Sequence, residues 1–516
     1  LAQRASSDSG RATLPRHELD HTLAPSTSEL ELKFEVPEEV VAALQAELRR
    51  HGAHVVTMSA YYYDTPDFEL AAQRVSLRLR REGRRWMQTL KVEGRSAVER
   101  LEHNVPVRGS RASPPVLDVD RHNGTHAGSV LREALGDTGL RRLAVRYSTE
   151  VERLLCDLQV GETAIEAALD IGHVAVGERT IPIRELELEH KGGPTGALFE
   201  LAKSWSAFGG LCLSTVSKAT RGTRLARNER YGPAVKASRP RVQPDMNGVQ
   251  FARAVLRATL DQVLANASEI AAGSSDEEHV HQLRVGLRRL RTALRELAPL
   301  DAQIDPQWEK PLAEAFRRLG DARDRITAAR AVRALLEHAH APKVQWRETG
   351  VVDPVAIVRD TGFQSVLIDL LAHALQEAAS DHTTLVPPAM AEQMRARLSN
   401  LHDRVEGAGK RFTELEIDQQ HKTRKRLKRL RYLAEFFAPL CDGKAVKRYL
   451  AGLEPAQDAL GEHMDVSVAL EQFRKDAETD PQSLFAVGYL EAHRVHTAQH
   501  AQSALKEFAK AQPFWN

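Results

Sequence analysis

The stretch ELELKFEV, residues 29–36, decides how the first half of the chain is read. With the period of two of a β-strand, Glu29, Glu31 and Lys33 share one face, and Leu30, Leu32 and Phe34 share the other. A face holding two carboxylates and an ammonium meets either water or something that needs both signs of charge. Water is tolerable. Alternate residues on a strand sit about 7 Å apart, where two carboxylates in water repel by only about 0.6 kcal/mol. The strand alone favours a solvated face, so the decision rests on its neighbours.

Three further stretches carry the same oddity. In SLRLR, Arg78 and Arg80 share a face opposite Leu77 and Leu79. In RELELEH, Glu185, Glu187 and Glu189 lie opposite Leu186 and Leu188, with Glu185 expected at the mouth of any enclosed site. In AIEAALD, Glu166 and Asp170 share a face across Ala168, opposite Ile165, Ala167 and Leu169. Lys91 ends RWMQTLK, Arg153 follows STEVE, and Lys218 lies in TVSKATRG. Mixed signs along each strand would suit bulk water, but these strands are single-signed.

Grouped carboxylates suit a hard cation such as Mg²⁺ or Mn²⁺. Paired arginines suit phosphate oxygens through their forked donors. A site with both is what phosphoryl transfer to water needs. Closing such a sheet into a barrel would turn the charges inward and the leucines outward, under helices. Two helices fit between the strands. One starts at Pro37 and ends at Gly52, with Val40, Val41, Leu44 and Leu48 on one face. The other spans residues 194–210.

The chain has 516 residues, too many for one ordinary core, so two or more domains are expected. No run of 18 apolar residues occurs, which excludes a predicted transmembrane helix. Net charge is only +2, so a site for a polyanion must come from local clustering. Residues 1–27 are polar and rich in Ser and Pro, and read as a disordered arm. Three scattered cysteines, Cys156, Cys212 and Cys441, argue for buried thiols in a reducing compartment rather than a disulfide framework.

The segment 231–246, with its Gly and prolines, reads as a linker. Beyond it, helical periodicity dominates and the sequence repeats itself. HQLRVGLRRLR starts at His281 and HKTRKRLKRLR at His421, an offset of 140; LGDARD starts at Leu319 and LGEHMD at Leu460, an offset of 141. In the first copy Leu283, Leu287, Leu290, Leu294 and Leu297 form a stripe, and Arg284, Arg288, Arg291 and Arg295 form a second one about 100° around the helix. In the second copy Leu427, Leu430, Ala434 and Phe437 make the apolar stripe and Arg424, Lys428 and Arg431 the basic one. The basic stripes border the buried faces and should line a groove that takes an anion. Few aromatics interleave with them in sequence, which argues against stacking platforms for nucleic acid. A late trio, His493, His496 and His500, has spacing that permits a metal, but without a Cys or carboxylate partner it reads as a solvated face.

Residues 28–230 resemble the CYTH superfamily of triphosphate tunnel metalloenzymes, through ELELK, YYDT at 62–65, LRLR, TLK, ERLE, TEVER, EAALD, ELELE and SKATRG in that order. The resemblance implies an eight-stranded antiparallel tunnel that binds linear triphosphate with Mg²⁺ or Mn²⁺. Matching positions put Glu29, Glu31, Asp170, Glu187 and Glu189 on the metal side and Lys33, Arg78, Arg80, Lys91, Arg153 and Lys218 on the phosphate side. Glu29, Glu31 and Lys33 would serve catalysis. Glu102 matches an acidic run whose last place is here Asn104, which puts one acidic contribution in doubt. Tyr62 and Tyr63 read as core or rim aromatics. Residues 247–510 resemble the CHAD domain, a helical module of two four-helix halves, about 247–380 and 390–510, that binds inorganic polyphosphate. The matching residues are His281, Arg284, Arg288, Arg289, Arg291, Arg323 and Asp324, then His421, Arg424, Lys428, Arg431, Tyr432 and Asp465. His281 and His421 read as structural rather than as ligands.

The expected fold is therefore α+β, a β tunnel with flanking helices followed by a duplicated all-α bundle. The expected activity is metal-dependent hydrolysis of inorganic triphosphate, joined to polyphosphate binding, in a cytoplasmic protein associated with polyphosphate deposits. Three alternatives stand beside it. The tunnel could be idle in a polyphosphate-binding protein. It could run another chemistry of its family, adenylate cyclase or thiamine triphosphatase. A nucleic-acid binder ranks third.

Overall fold

The computed structural model describes residues 27–93, 99–110, 114–342, 353–376 and 385–515; the expected N-terminal arm lies outside them. The strands are β1 (Thr27–Glu35), β2 (His54–Asp64), β3 (Val75–Glu82), β4 (Arg85–Glu93), β5 (Glu99–Val107), β6 (Ala144–Val160), β7 (Thr163–Val176), β8 (Arg179–Gly192) and β9 (Cys212–Leu213). The helices among and after them are α1 (Glu38–Arg50), α2 (Glu69–Ala72), α3 (His126–Leu140), α4 (Gly196–Ser206) and α5 (Lys218–Ala226). The helical half holds α6 (Gly248–Ala271), α7 (Glu277–Leu297), α8 (Glu309–His338), α9 (Pro354–Val358), α10 (Thr361–Leu375), α11 (Pro387–Lys410), α12 (Ile417–Phe437), α13 (Gly443–Asp476) and α14 (Ser483–Phe508).

The strands form one antiparallel sheet in the order β5-β4-β3-β2-β6-β7-β8-β1-β9. Among the described residues the sheet has nine strands where eight were expected, and it does not close along its length. Among the described residues only Thr27–Leu30 of β1 pairs with β5. Further along the same strand, Phe34 and Glu35 pair with β9 instead. The ninth strand is two residues long and follows two consecutive glycines, Gly209 and Gly210, which is why its alternation is invisible in sequence.

The two faces of the sheet separate as the alternation predicts. Leu32, Phe34, Leu169, Leu186 and Leu188 are buried and pack with Leu44 and Leu48 of α1 and Leu198 of α4. On β3 and β4, Leu77 and Leu90 pack with Ala127 and Leu131 of α3. The opposite face carries the charges and is capped by α5. This helix starts where the Ser217 hydroxyl accepts from the Thr220 amide.

The duplication is visible in the helices. α12 begins and ends 140 residues after α7 (277 to 417, 297 to 437). α7 packs on α12 and α8 on α13, so the two copies meet through equivalent elements. At that junction Arg289 of α7 pairs with Glu435 of α12.

The 231–246 segment is tied down. The Tyr231 hydroxyl donates to the Gly273 carbonyl at 2.8 Å, the Gly232 amide to Glu269 at 3.2 Å and the Val235 amide to Asn266 at 3.0 Å. The largest apolar cluster runs from Leu188 and Trp205 on one side to Phe251, Leu256 and Phe363 on the other, so the halves share a continuous core.

Candidate functional site

Three carboxylates of the charged face meet around one ammonium. Lys218 Nζ, in the first turn of α5, lies 2.8 Å from Asp170, 2.6 Å from Glu185 and 2.7 Å from Glu187. Register explains the convergence. Glu185 of β8 stands opposite Asp170 of β7, and Glu187 follows two residues on, on the same face. Arg153 of β6 stands opposite Asp170 from the other side. Its guanidinium donates to both Asp170 oxygens at 2.7 Å each and to Glu187 at 2.7 Å. Lys33 lies 3.7 Å from Glu185 and 3.8 Å from Glu31. Arg221, one turn after Lys218, reaches Glu185 at 3.3 Å.

The centre of the cluster is nearly dry, with Asp170 1% exposed, Glu185 0% and Lys33 4%, while Arg153, Glu187 and Arg221 are half-buried. An unpaired charge at such depth would cost several kcal/mol, so the cluster holds only because both signs are present. Burial alone would raise the carboxyl of Asp170, but Lys218 and Arg153 outweigh it and hold the pKa below the ordinary value. Glu187 behaves the same way and lies well below its ordinary range, with Lys33 helping. Burial works against the Lys218 ammonium, yet Asp170, Glu185 and Glu187 raise its pKa. Glu166, further along β7, is raised by burial.

A second group on the same face is basic. Arg78 donates to the Tyr62 hydroxyl at 3.1 Å, and the Tyr62 ring stacks on Tyr147 with centroids 4.7 Å apart. Arg80 pairs with Glu82 at 2.7 Å, and Lys91 pairs with Glu102. Burial and the like charges of Arg78 and Arg153 lower the pKa of Arg80. Asn104, in the place of an acid, accepts from the buried Thr89 hydroxyl at 2.7 Å and so serves the strand pairing.

The structure thus brings Lys33, Arg153 and Lys218 together with Glu31, Asp170 and Glu187, and sets Arg78, Arg80 and Lys91 beside them. Glu189 lies at the rim, 2.6 Å from Lys191. The side chains of Glu29, Arg323 and Asp324 lie outside the described residues. Glu185 is a correction: expected at the mouth, it sits at the bottom of the cluster, because it is in phase with Glu187 and directly opposite Asp170. Sequence reading also missed Arg221, whose spacing of three from Lys218 on a helix carried the signal. It missed the hold of Tyr62 on Arg78 as well, which only the register of β2 with β3 reveals.

The acidic face offers carboxylate oxygens alone, the donor type of a hard divalent ion. Glu185 Oε2 is buried without a hydrogen bond, although Arg221 lies nearby. Among the described residues no three acidic or histidine side chains form a ready metal cluster. Asp170, Glu185 and Glu187 are instead gathered on Lys218. The residues therefore fit a divalent ion by donor chemistry, and the register of β1 with β8 sets Glu31, Glu187 and Glu189 on one face, where they would hold it.

The basic helices look different. Arg284, Arg288 and Arg291 of α7 converge on one ring, Phe316 of α8, at 5.1, 5.2 and 5.6 Å from its centroid. Arg291 also meets Glu309 at 3.0 Å. Arg289 is buried over Phe436 and Tyr432. On α12, Arg431 meets Glu435 at 3.0 Å and Gln457 at 2.9 Å, while Arg424 and Lys428 are half-buried. His281 and His421 are exposed. Aromatics absent from the basic stretches in sequence are thus supplied from a neighbouring helix or from later turns. His493 stacks on Tyr489, His496 lies tilted to His493, and His500 lies 3.4 Å from Glu462; the described residues show no metal group there.

Comparison with known proteins agrees with this division. The CYTH domain matches residues 27–223 and the CHAD domain residues 254–474. A curated inorganic triphosphatase from Haemophilus influenzae is 31% identical over 170 residues, which cover 32% of this chain and 44% of that protein. The match thus spans less than half the length of this relative. Among solved structures, the CHAD domain from Ricinus communis is 22% identical, covering 55% of this chain and 98% of that one with a TM-score of 0.42. A Hippeastrum protein described as having a dominant triphosphatase activity is 14% identical, covering 39% of this chain and 96% of that one with a TM-score of 0.26. Among the described residues no helix is long and apolar enough to cross a membrane. The chain carries a CYTH domain, residues 27–223, followed by a CHAD domain, residues 254–474.

Proposed function

We propose that the protein hydrolyses linear inorganic triphosphate on the charged face of the sheet and binds inorganic polyphosphate on its basic helices. The observation that carries this reading is the meeting of Lys33, Arg153 and Lys218 with Asp170, Glu185 and Glu187 on a buried face that also bears Arg78, Arg80 and Lys91. A ligand that suits this face must carry several negative charges and bring positive charge with it. A metal-bound triphosphate is such a ligand, and the similarity to an inorganic triphosphatase points the same way.

In the reaction, water attacks a terminal phosphorus, the bridging P–O bond breaks, and orthophosphate and pyrophosphate leave. Arg78, Arg80 and Lys91 hold phosphate oxygens and balance charge on the leaving group. Lys33, Arg153 and Lys218 turn from the carboxylates toward the polyanion as it enters. Glu29 and Glu31, at the start of β1, orient the attacking water. Mg²⁺ or Mn²⁺, which Glu31, Glu187 and Glu189 would hold, would neutralise charge on the phosphate chain.

A second reading rests on a specific observation. Asp170 and Glu187 are already neutralised by Lys218 and Arg153, which suits a catalytically idle sheet beside a polyphosphate-binding bundle. Product analysis separates the readings. The whole protein is incubated with tripolyphosphate, ATP or thiamine triphosphate and either metal ion. Orthophosphate released fastest from tripolyphosphate supports hydrolysis. Cyclic AMP from ATP, or preferred thiamine triphosphate cleavage, replaces the substrate. No turnover together with retention of long polyphosphate supports the idle sheet.

A further inference from the structure

Helix α5 reaches both domains. Its first residue, Lys218, binds the three carboxylates, and Arg221, one turn on, binds Glu185. Gly222, the next residue, lies against the Tyr147 ring so closely that a Cβ there would fall 2.1 Å from a ring carbon. Tyr147 in turn stacks on Tyr62, which holds Arg78. One face of this helix therefore sets a cation in the acidic cluster and backs the tyrosine pair behind a basic one.

The far end of α5 belongs to the helical domain. Arg224 donates from Nη2 to Glu269 Oε1 at 2.7 Å and from Nη1 to Oε2 at 3.2 Å, a forked pair with a residue of α6 that is 5% exposed. The Gly232 amide adds a third donor to Glu269 at 3.2 Å. The segment leading into α5 is pinned between the domains as well. The Ser214 amide donates to the Lys33 carbonyl of β1 at 2.8 Å, and the next amide, Thr215, donates to Ser268 Oγ of α6 at 3.0 Å. The residue beside Ser268 is Glu269 itself.

We infer that the helical domain positions Lys218: Glu269, through Arg224, fixes the axial placement of α5 and so aims the ammonium into the charged face. Arg224 and Glu269 are positioning residues, and neither touches the cluster. A short helix of nine residues has little stability of its own. Without the fork, its placement rests on the Ser217 cap, on the packing of Gly222 against Tyr147, and on the contacts of Lys218 and Arg221 with the carboxylates, which must loosen whenever a polyanion enters. This inference rests on the proposed triphosphate site for its kinetic readout.

The test uses the full chain with Arg224→Glu, Glu269→Arg, the double exchange, the milder Glu269→Gln, and Asp369→Asn as a control. Asp369 makes another inter-domain pair, with Lys203 at 2.8 Å, away from α5. Each single exchange is expected to raise KM for tripolyphosphate about tenfold or more, with kcat changed less, and the double exchange to bring KM back within about threefold. Glu269→Gln falls between, and Asp369→Asn matches wild type. Unchanged KM in the single variants overturns the inference, as does an equal rise in Asp369→Asn, which would mean that domain docking in general is what matters. Should wild type cleave no triphosphate, the triphosphate reading fails by itself. Amide exchange over residues 217–226 then decides: faster in the single variants and restored in the double supports the clamp, and unchanged exchange overturns it.

Discussion

The sheet and the basic helices both gather cations, but they satisfy them in opposite ways. In the sheet, Lys218 and Arg153 are interlocked with Asp170, Glu185 and Glu187, and the cluster is closed on itself. On α7, Arg284, Arg288 and Arg291 rest on the neutral ring of Phe316, and Arg291 also meets Glu309. A closed cluster must be opened by its ligand, so the ligand has to carry both signs. Cations resting on a neutral ring keep their charge, which suits the proposed binding of a flexible polyanion. Under the proposed function, the difference would let one protein take a short phosphate chain as a substrate and a long one as a tether.

The sharpest way to break this contrast is to remove one cation from each region. Lys218→Ala leaves the buried Asp170 and Glu185 and the half-buried Glu187 short of a partner and is expected to cost about 3–5 kcal/mol in urea denaturation. Arg291→Ala, at a partly solvated pair, is expected to cost about 1 kcal/mol or less. Equal losses would erase the distinction.

Acidity should separate the regions next. Asp170 and Glu187 have native pKa values depressed below their ordinary 3.8 and 4.5. Their contribution to stability is thus fully present above those values and is lost as pH falls below them toward the native pKa. A urea midpoint that drops below about pH 4.5 in wild type, and drops less in an Asp170→Asn, Glu187→Gln variant, is the expected result. A parallel drop in both proteins places the acid sensitivity elsewhere.

Much of this was legible in the sequence, for physical reasons. Strand alternation put the leucines of ELELKFEV and RELELEH outward, because the sheet needs one apolar face under α1 and α4. The offset of 140 returned both α7 and α12, because a duplicated helix keeps its length. What escaped were pairings between distant segments. The burial of Glu185 depends on the register of β7 with β8. The arginine platform depends on Phe316, which comes from another helix, and β9 is too short to alternate. The tying of 231–246 to α6 runs through backbone amides and a tyrosine hydroxyl, which composition does not encode.

Smaller effects sharpen the comparison further. Phe316→Leu removes the ring under three guanidinium groups but keeps an apolar contact. At about 0.5–2 kcal/mol for cation–π attraction, retention of long polyphosphate should weaken about 2–30-fold in a titration, with tripolyphosphate turnover unchanged. Salt should act in the same direction. Binding of a long polyanion releases condensed counterions, so polyphosphate affinity should fall steeply between 50 and 200 mM salt, about tenfold or more. KM for tripolyphosphate should move less, because the buried pairs of the sheet are weakly screened.

The central claim is that the charged face of the sheet cleaves a triphosphate with its own residues. Phosphate release from tripolyphosphate by the whole protein, with Mg²⁺ or Mn²⁺, tests it most directly when wild type is compared with Glu31→Ala and Arg80→Ala. The expected result is turnover by wild type and a loss of about a hundredfold or more in each variant. Full activity in both variants would contradict the account.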